Sequence, residues 1–217
     1  MLLKYPSTGH WPWSQTIQKD DSYHPDPSFF LNKKIVITEK IDGQNVLINN
    51  GQSYARSVLL PATHGWFAMI NKYYKWKTVD DPLTYHLEDI YGIHSIEYNP
   101  VEEDKTAFLF AIHNNIRWFS WSEIEEAALL FGWNTTPVLY SGTFTSVKEI
   151  TNFFEKHISE PSLLGPIKEG FVLRTYDSFR MDNFHQNVVK YVRRNHVQTD
   201  QHWTKNWQPC KIIGRTY

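Results

Sequence analysis

The sequence holds a single cysteine, Cys210, so no disulfide can form within the chain and the expected setting is a reducing compartment. Long apolar runs are equally scarce. The longest charge-free apolar region, around residues 58–71, is too short to span a bilayer and is interrupted by Pro61 and His64. The opening MLLKYPSTGHW has none of the apolar run of a signal peptide. No internal repeat or low-complexity tract is present. The expectation is a cytoplasmic, monomeric chain with no membrane partner.

What is present describes a globular protein. Hydrophobic residues make up 41% and aromatic residues 16% of the 217 positions, enough for a substantial core. We expect one domain over 1–217, with an irregular Pro-, Ser- and Asp-rich arm at 1–30 and a basic segment at 194–217. The net charge of -1 conceals an uneven distribution. Between residues 80 and 104 every charged group is acidic: Asp80, Asp81, Glu88, Asp89, Glu97, Glu102, Glu103 and Asp104. From 188 onward Lys190, Arg193, Arg194, Lys205, Lys211 and Arg215 face only Asp200. Local fields of this kind, more than the total charge, draw in a polyanion, so a nucleotide or nucleic acid is one candidate partner and a solvated face is the other.

Alternation of β-branched residues predicts a strand at KKIVITEK (33–40) and another at QNVLI, joined by a hairpin-like turn at Asp42-Gly43. A further strand follows Asn50-Gly51. GWFAMINKYYKW (65–76) has helical spacing, and TAFLFAIHN (106–114) reads as a buried strand. SEIEEAALLFG (122–132) predicts a helix capped by Ser122 and Glu125, lined by Ile124, Ala127, Ala128 and Leu130 or Phe131, and closed by Gly132. TPVLY is a strand, 146–157 a second helix, and EGFVLRT and NVVKYVR are later strands. The class is α+β, with antiparallel or mixed sheets flanked by helices.

The octapeptide TEKIDGQN (38–45) raises the chemical question. A free lysine has a pKa of about 10.4, so roughly one in 2,500 is a neutral nucleophile at pH 7, a deficit worth about 4.6 kcal/mol. Burial or nearby cations remove that deficit, whereas Asp42 by itself opposes its removal, so Lys40 needs a metal or an arginine close by to react. Taken alone, Lys-x-Asp-Gly is equally a surface turn. The histidines His94, His113, His196 and His202 lack metal-ligand spacing and read as structural or phosphate-contacting groups.

Six segments arrive in a particular order: KIDG, Arg56 in SYARS, Glu88 in HLEDIYG, Phe110 in FLFAIHN, EGFVLR from Glu169, and VVKYVRRNHVQTDQHW containing Lys190. In that order they resemble the ATP-dependent RNA ligases of the covalent nucleotidyltransferase superfamily, in particular the nick-sealing branch of the deinococcal RNA ligase. KYPSTGHWPWS, HSIEYN and WFSWSE…TTPVLYSG look like the same branch, so the likeness runs along nearly the whole chain. It implies a nucleotidyltransferase domain. It also implies that Lys40 attacks the ATP α-phosphorus and carries AMP, that Asp42 and Glu169 hold metal-bound water, and that Gly43 lets the backbone turn close to the nucleotide.

Further roles follow from the resemblance alone. Arg56 would contact nucleotide and end phosphates, Glu88 the ribose hydroxyls, and Lys190 the α-phosphate, with Glu39 also at the nucleotide. Phe110 would stack on adenine, with Phe108 as its rival on the same strand face. Asn45 and Arg193 would contact the nucleic-acid end. Two departures stand out: Leu87 replaces the usual glycine before Glu88, and Val188 replaces the first lysine of a common Lys-x-Lys pair. The implied function is joining of RNA 5′-phosphate and 3′-hydroxyl ends in RNA repair. The expected substrate is a nicked duplex with DNA admissible on one side, and Mg2+ or Mn2+ is the expected cofactor. Capping guanylyltransferases and DNA ligases use the same lysine but append an OB-fold, for which the stretch after Lys190 is short. A non-catalytic RNA-end or nucleotide-binding protein on a ligase scaffold is the alternative of another class.

Overall fold

A computed structural model describes residues 2–15, 21–194 and 203–215. His196, His202 and the part of the basic segment between them lie outside the described residues. In chain order the strands are β1 (Gly9–His10), β2 (Ile35–Lys40), β3 (Gln44–Asn49), β4 (Gln52–Ala55), β5 (Thr84–Asp89), β6 (Ala107–His113), β7 (Arg117–Trp118), β8 (Asn134–Thr135), β9 (Val138–Gly142), β10 (Gly170–Thr175), β11 (Phe179–Arg180) and β12 (Val188–Val192). Three α-helices accompany them: α1 (Trp121–Phe131), α2 (Val147–His157) and the short α3 (Phe184–Asn187). One sheet runs β1-β12-β10-β2-β9; the other runs β11-β7-β6-β5-β3-β4 with β8 beside β6. The class is α+β with mixed sheets. Among the described residues no helix is long and apolar enough to cross a membrane.

Strand β2 belongs to two cores at once, which is why Ile35, Val36 and Ile37 are apolar on both faces. Ile35 and Ile37 pack with Phe154 of α2, Phe171 and Tyr191. Val36, on the opposite face, joins Val46, Ile48, Leu87, Leu109 and Ile124 between the sheets. Alternation then puts Thr38 and Lys40 on the inter-sheet side and Glu39 on the α2 side.

Four local expectations change. Asp42-Gly43 is not a hairpin, because β2 and β3 lie in different sheets and the chain crosses between them here. The tight turn is Asn50-Gly51, flanked by the pair Asn49 and Gln52, with φ of 46° and 71° as a two-residue hairpin of this twist demands. Helix α1 starts earlier than expected: Ser120 is its cap and Glu123 completes the capping box, while Leu130 is 79% exposed. Residues 65–78 are helical but change pitch, with 3-10 turns on both sides of a π turn at Ile70–Tyr74. Strand β5 carries no clear alternation, since Glu88 and Asp89 end it with adjacent acids, and sequence reading passed over it.

The charge imbalance is largely settled inside the molecule. Residues 203–215 run along the acidic stretch, with bridges Gly92–Pro209 and Val101–Ile212. Lys211 pairs with Glu97 at 2.8 Å and Arg215 pairs with Glu103. Exposed pairs of this kind contribute about 0–1 kcal/mol each, so the buried Cys210 and Ile212 do more to hold the segment. Of the tail's described basic residues, Lys211 and Arg215 are thus already paired with acids.

Gly170 sits where β10, β2 and β12 meet, and a Cβ there would collide with the Tyr191 carbonyl oxygen on β12. Gly170→Ala is expected to cost about 1–3 kcal/mol in denaturant unfolding, because a backbone neighbour cannot rotate away. Unchanged stability would mean that β10 and β12 separate freely.

Candidate active site

Between the sheets lies a cavity of about 570 Å³. Pairing across β2, β10 and β12 builds one wall. Lys40 faces Gly170 and Val172 faces Lys190, so Lys40, Val172 and Lys190 share one side of the sheet. Glu169 immediately precedes β10, and its Oε1 accepts a hydrogen bond of 2.5 Å from Lys40 Nζ. The Glu169 side chain is 6% exposed and that of Lys40 26%. Burial alone would lower the Lys40 pKa, but Glu169, Glu88 and Asp42 outweigh it and hold the ammonium above its ordinary value. Lys190 moves the other way: burial pulls it down although its Nζ donates to Asp21 Oδ1 at 3.1 Å.

Strands β3, β5 and β6 build the facing wall. Asn45 and Glu88 are direct partners across β3 and β5, and both line the cavity. The Asn45 Oδ1 is buried without a protein hydrogen bond, which marks it as an acceptor awaiting a donor. Arg56, just past β4, is exposed and lines the open side. Phe110 also lines the cavity, with Tyr5 edge-on at 5.0 Å. Its rival Phe108 is buried elsewhere with Ile41, Ile90, Ile96 and Tyr98. The register slips between His86 and Leu87, which leaves Phe110 without a partner on β5. A bulge of this kind re-aims a side chain, and simple alternation would have put both rings on one face.

Three other candidates sit differently from expectation. Asp42 is buried, and its Oδ2 accepts from Ser95 N, Ser95 Oγ and Ile96 N at 2.7–2.8 Å, so it ties down the 95–96 turn. Glu39 borders the cavity, but its carboxylate accepts from Ser162 Oγ and Leu163 N on the α2 side of the sheet. Arg193 is outside the cavity lining and donates to the Arg194 carbonyl oxygen. Gly43 borders the cavity and is also packed closely by protein: a Cβ there would lie 2.6 Å from the Asp89 carbonyl oxygen. His113 is fully buried and pushed down to about 4, a structural histidine.

Sequence reasoning missed the arm and the tail. Tyr5 and Thr8 line the cavity, and Asp21 reaches Lys190. At the rim, His64 stacks on Trp66 at 4.3 Å and His94 on Trp203 at 4.0 Å. The reach of Asp21 to Lys190 and of Trp203 to His94 joins residues far apart in sequence, so no local pattern signals it.

Among the described residues no group of three His, Cys, Asp or Glu side chains could cage a metal ion. A divalent cation near Glu169 and Asp42 would take most of its shell from phosphate oxygens and water. That donor set fits a metal arriving with a nucleotide rather than one resident in the protein.

The sequence model described as RNA ligase matches residues 33–192. No curated protein sequence matches this chain. Among solved structures, a putative ATP-dependent DNA ligase from Aquifex aeolicus superposes with a TM-score of 0.56 at 16% identity, over 88% of this chain and 50% of its own. An archaeal ATP-dependent RNA ligase gives 0.57 at 12% identity, over 88% and 48%. A Naegleria gruberi RNA ligase variant with ATP and Mn gives 0.56 at 14% identity, over 88% and 60%. At these identities the likeness is one of fold, and the chain spans about half to three-fifths of the length of these structures.

Burial pushes Glu88 up to about 8; Lys40 opposes the shift while Glu169 and Asp42 add to it. The folded chain therefore keeps a proton that the unfolded chain releases, and stability declines as pH rises from about 5 to 8. Glu88→Gln removes this titration. Its stability relative to the parent is expected to climb across that window in denaturant titrations at several pH values, and parallel profiles would contradict the assignment.

Proposed function

Since the chain belongs to the RNA ligase family, we propose that it is an ATP-dependent RNA ligase working through an AMP–lysine intermediate on Lys40. One observation supports this most. The Lys40 amine, backed by Glu169, stands in a cavity of nucleotide size whose walls also carry Glu88, Phe110 and Lys190. In this reading adenine lies against Phe110, the ribose toward Glu88, and the α-phosphate between Lys40 and Lys190. Asn45 and Arg56 serve the nucleic-acid end, and Arg193 serves strands beyond it.

Glu169, with Asp42 behind it, keeps Lys40 protonated and harmless until the nucleotide enters. A divalent cation, Mg2+ or Mn2+, bound with the triphosphate supplies the positive charge that offsets Glu169 and Asp42. The Lys40 ammonium first gives one proton to Glu169 Oε1, and the neutral amine attacks the α-phosphorus. The N–P bond forms as the bond to the pyrophosphate oxygen breaks, and the second amine proton leaves to water or with the pyrophosphate. Lys190 steadies the negative charge on the transferring group. Next, an RNA 5′-phosphate oxygen takes AMP from Lys40. Finally a 3′-hydroxyl oxygen, losing its proton, attacks that 5′-phosphate and releases AMP. Nicked RNA duplexes, with DNA admissible on one side, are the proposed substrates.

Incubation with ATP and Mg2+ or Mn2+ is expected to add one AMP to the intact protein mass, and Lys40→Ala to abolish the adduct. No adduct under either metal, or one that survives Lys40→Ala, refutes the reading; a GMP adduct with GTP in place of ATP, and none with ATP, would mean capping chemistry. Sealing of a labelled nicked duplex, with RNA or DNA on each side, then defines the substrate.

A further inference from the structure

Lys190 is held by a closed loop of hydrogen bonds supplied by the N-terminal arm. Strand β1 lies parallel to β12, with His10 opposite Lys190, and the Trp11 amide donates to the Lys190 carbonyl oxygen at 2.7 Å. Asp21 bridges two partners: Oδ1 accepts from Lys190 Nζ at 3.1 Å, and Oδ2 lies 2.8 Å from His10 Nε2. His10 Nδ1 lies 2.9 Å from Ser14 Oγ, which in turn accepts from the Val192 amide at 2.9 Å. The path leaves β12 at the Lys190 ammonium and returns to it two residues later.

One protonation pattern satisfies every member. Val192 N–H donates to Ser14 Oγ, the Ser14 hydroxyl to His10 Nδ1, His10 Nε2–H to Asp21, and Lys190 to Asp21. His10 is 2% exposed and lowered by burial and by Lys190, consistent with the neutral imidazole this needs. The side chain of a free lysine spreads over many rotamers, and this loop selects one while leaving the other ammonium protons for an anion.

The loop also sorts charges. Lys40 and Lys190 both feel Glu169. With Asp21 in place, Lys190 has a carboxylate of its own, and Glu169 is left to Lys40. We propose that Asp21, backed by His10, is a positioning residue for nucleotidyl transfer, one that fixes Lys190 on the α-phosphate and keeps it from Glu169. The N-terminal arm is then part of the reaction centre. This rests on the nucleotide reading of the cavity given above.

The test follows AMP-adduct formation under single-turnover conditions across ATP concentration. Asp21→Asn is expected to lower the maximal rate about 10- to 100-fold, the scale of a misplaced catalytic group, with half-saturating ATP changed less than about threefold. Asp21→Glu should recover most of the rate, and His10→Asn should show a smaller loss of the same kind. Lys190→Met will be slow by itself, and adding Asp21→Asn to it should cost nothing more, because Asp21 acts through Lys190. Full activity in Asp21→Asn, faster reaction in it, or losses that multiply in the double variant overturn the proposal. The same holds if Asp21→Asn and Asp21→Glu lose rate only in step with thermal stability. An inactive parent protein refutes the nucleotide reading and this inference with it; an active parent with an indifferent Asp21 refutes this inference alone.

Discussion

The contact between Lys40 Nζ and Glu169 Oε1 is the constraint on which the site depends. A partly buried ammonium cannot stand without a carboxylate, and a nearly buried carboxylate cannot stand without a cation; removing one member of such a pair costs about 3–5 kcal/mol. The pair therefore fixes where β2 and β10 end relative to each other. It also explains why Gly170 must follow Glu169: the next residue lies where three strands converge, with no space for a side chain. Glu88 beside the pair is pushed up to about 8 by burial, with Glu169 adding to the shift and Lys40 opposing it, so the cavity holds one carboxyl group in its neutral form near pH 7.

The two sheets give this charge cluster its shape. Lys40 ends β2, the chain crosses at Asp42 and Gly43, and Asn45 lies on β3 in the opposite sheet. Three hydrogen bonds to Asp42 and the close approach of Gly43 to Asp89 hold the crossing rigid. A short sequence thus places an amine on one wall and an amide on the other. Of the Lys-x-Asp-Gly residues, Lys40, Ile41 and Gly43 border the cavity, while Asp42 lies outside its lining and holds the crossing in place.

Much of this was legible in the sequence, and the rest was not for identifiable reasons. Strand β2, the second helix and β10 declared themselves through apolar periodicity and caps, which are local properties. The hairpin at Asp42-Gly43 failed because a turn signal says nothing about which sheet the next strand joins. Phe108 and Phe110 were indistinguishable because the bulge that separates them arises from pairing with β5. The charge asymmetry was visible, but its resolution between Glu97 and Lys211 needed the tail's route. Asp21 was silent for the same reason, as its importance lies wholly in reaching β12.

The surplus of acid around Lys40 is a form of control rather than a defect. A lysine depressed by burial alone would be nucleophilic at rest and open to any electrophile entering the cavity. Here burial is overruled by carboxylates, and in the proposed mechanism the amine gains reactivity only when something cationic shares the site with it. The second lysine cannot play that part if it is free to neutralise Glu169 itself, and its own carboxylate on the arm removes that freedom. Reactivity then becomes a property of the assembled site, charged nucleotide included. That argument requires the arm to be folded against β12 before chemistry begins, and the parallel pairing of Gly9 and His10 with Val189 and Lys190 meets the requirement.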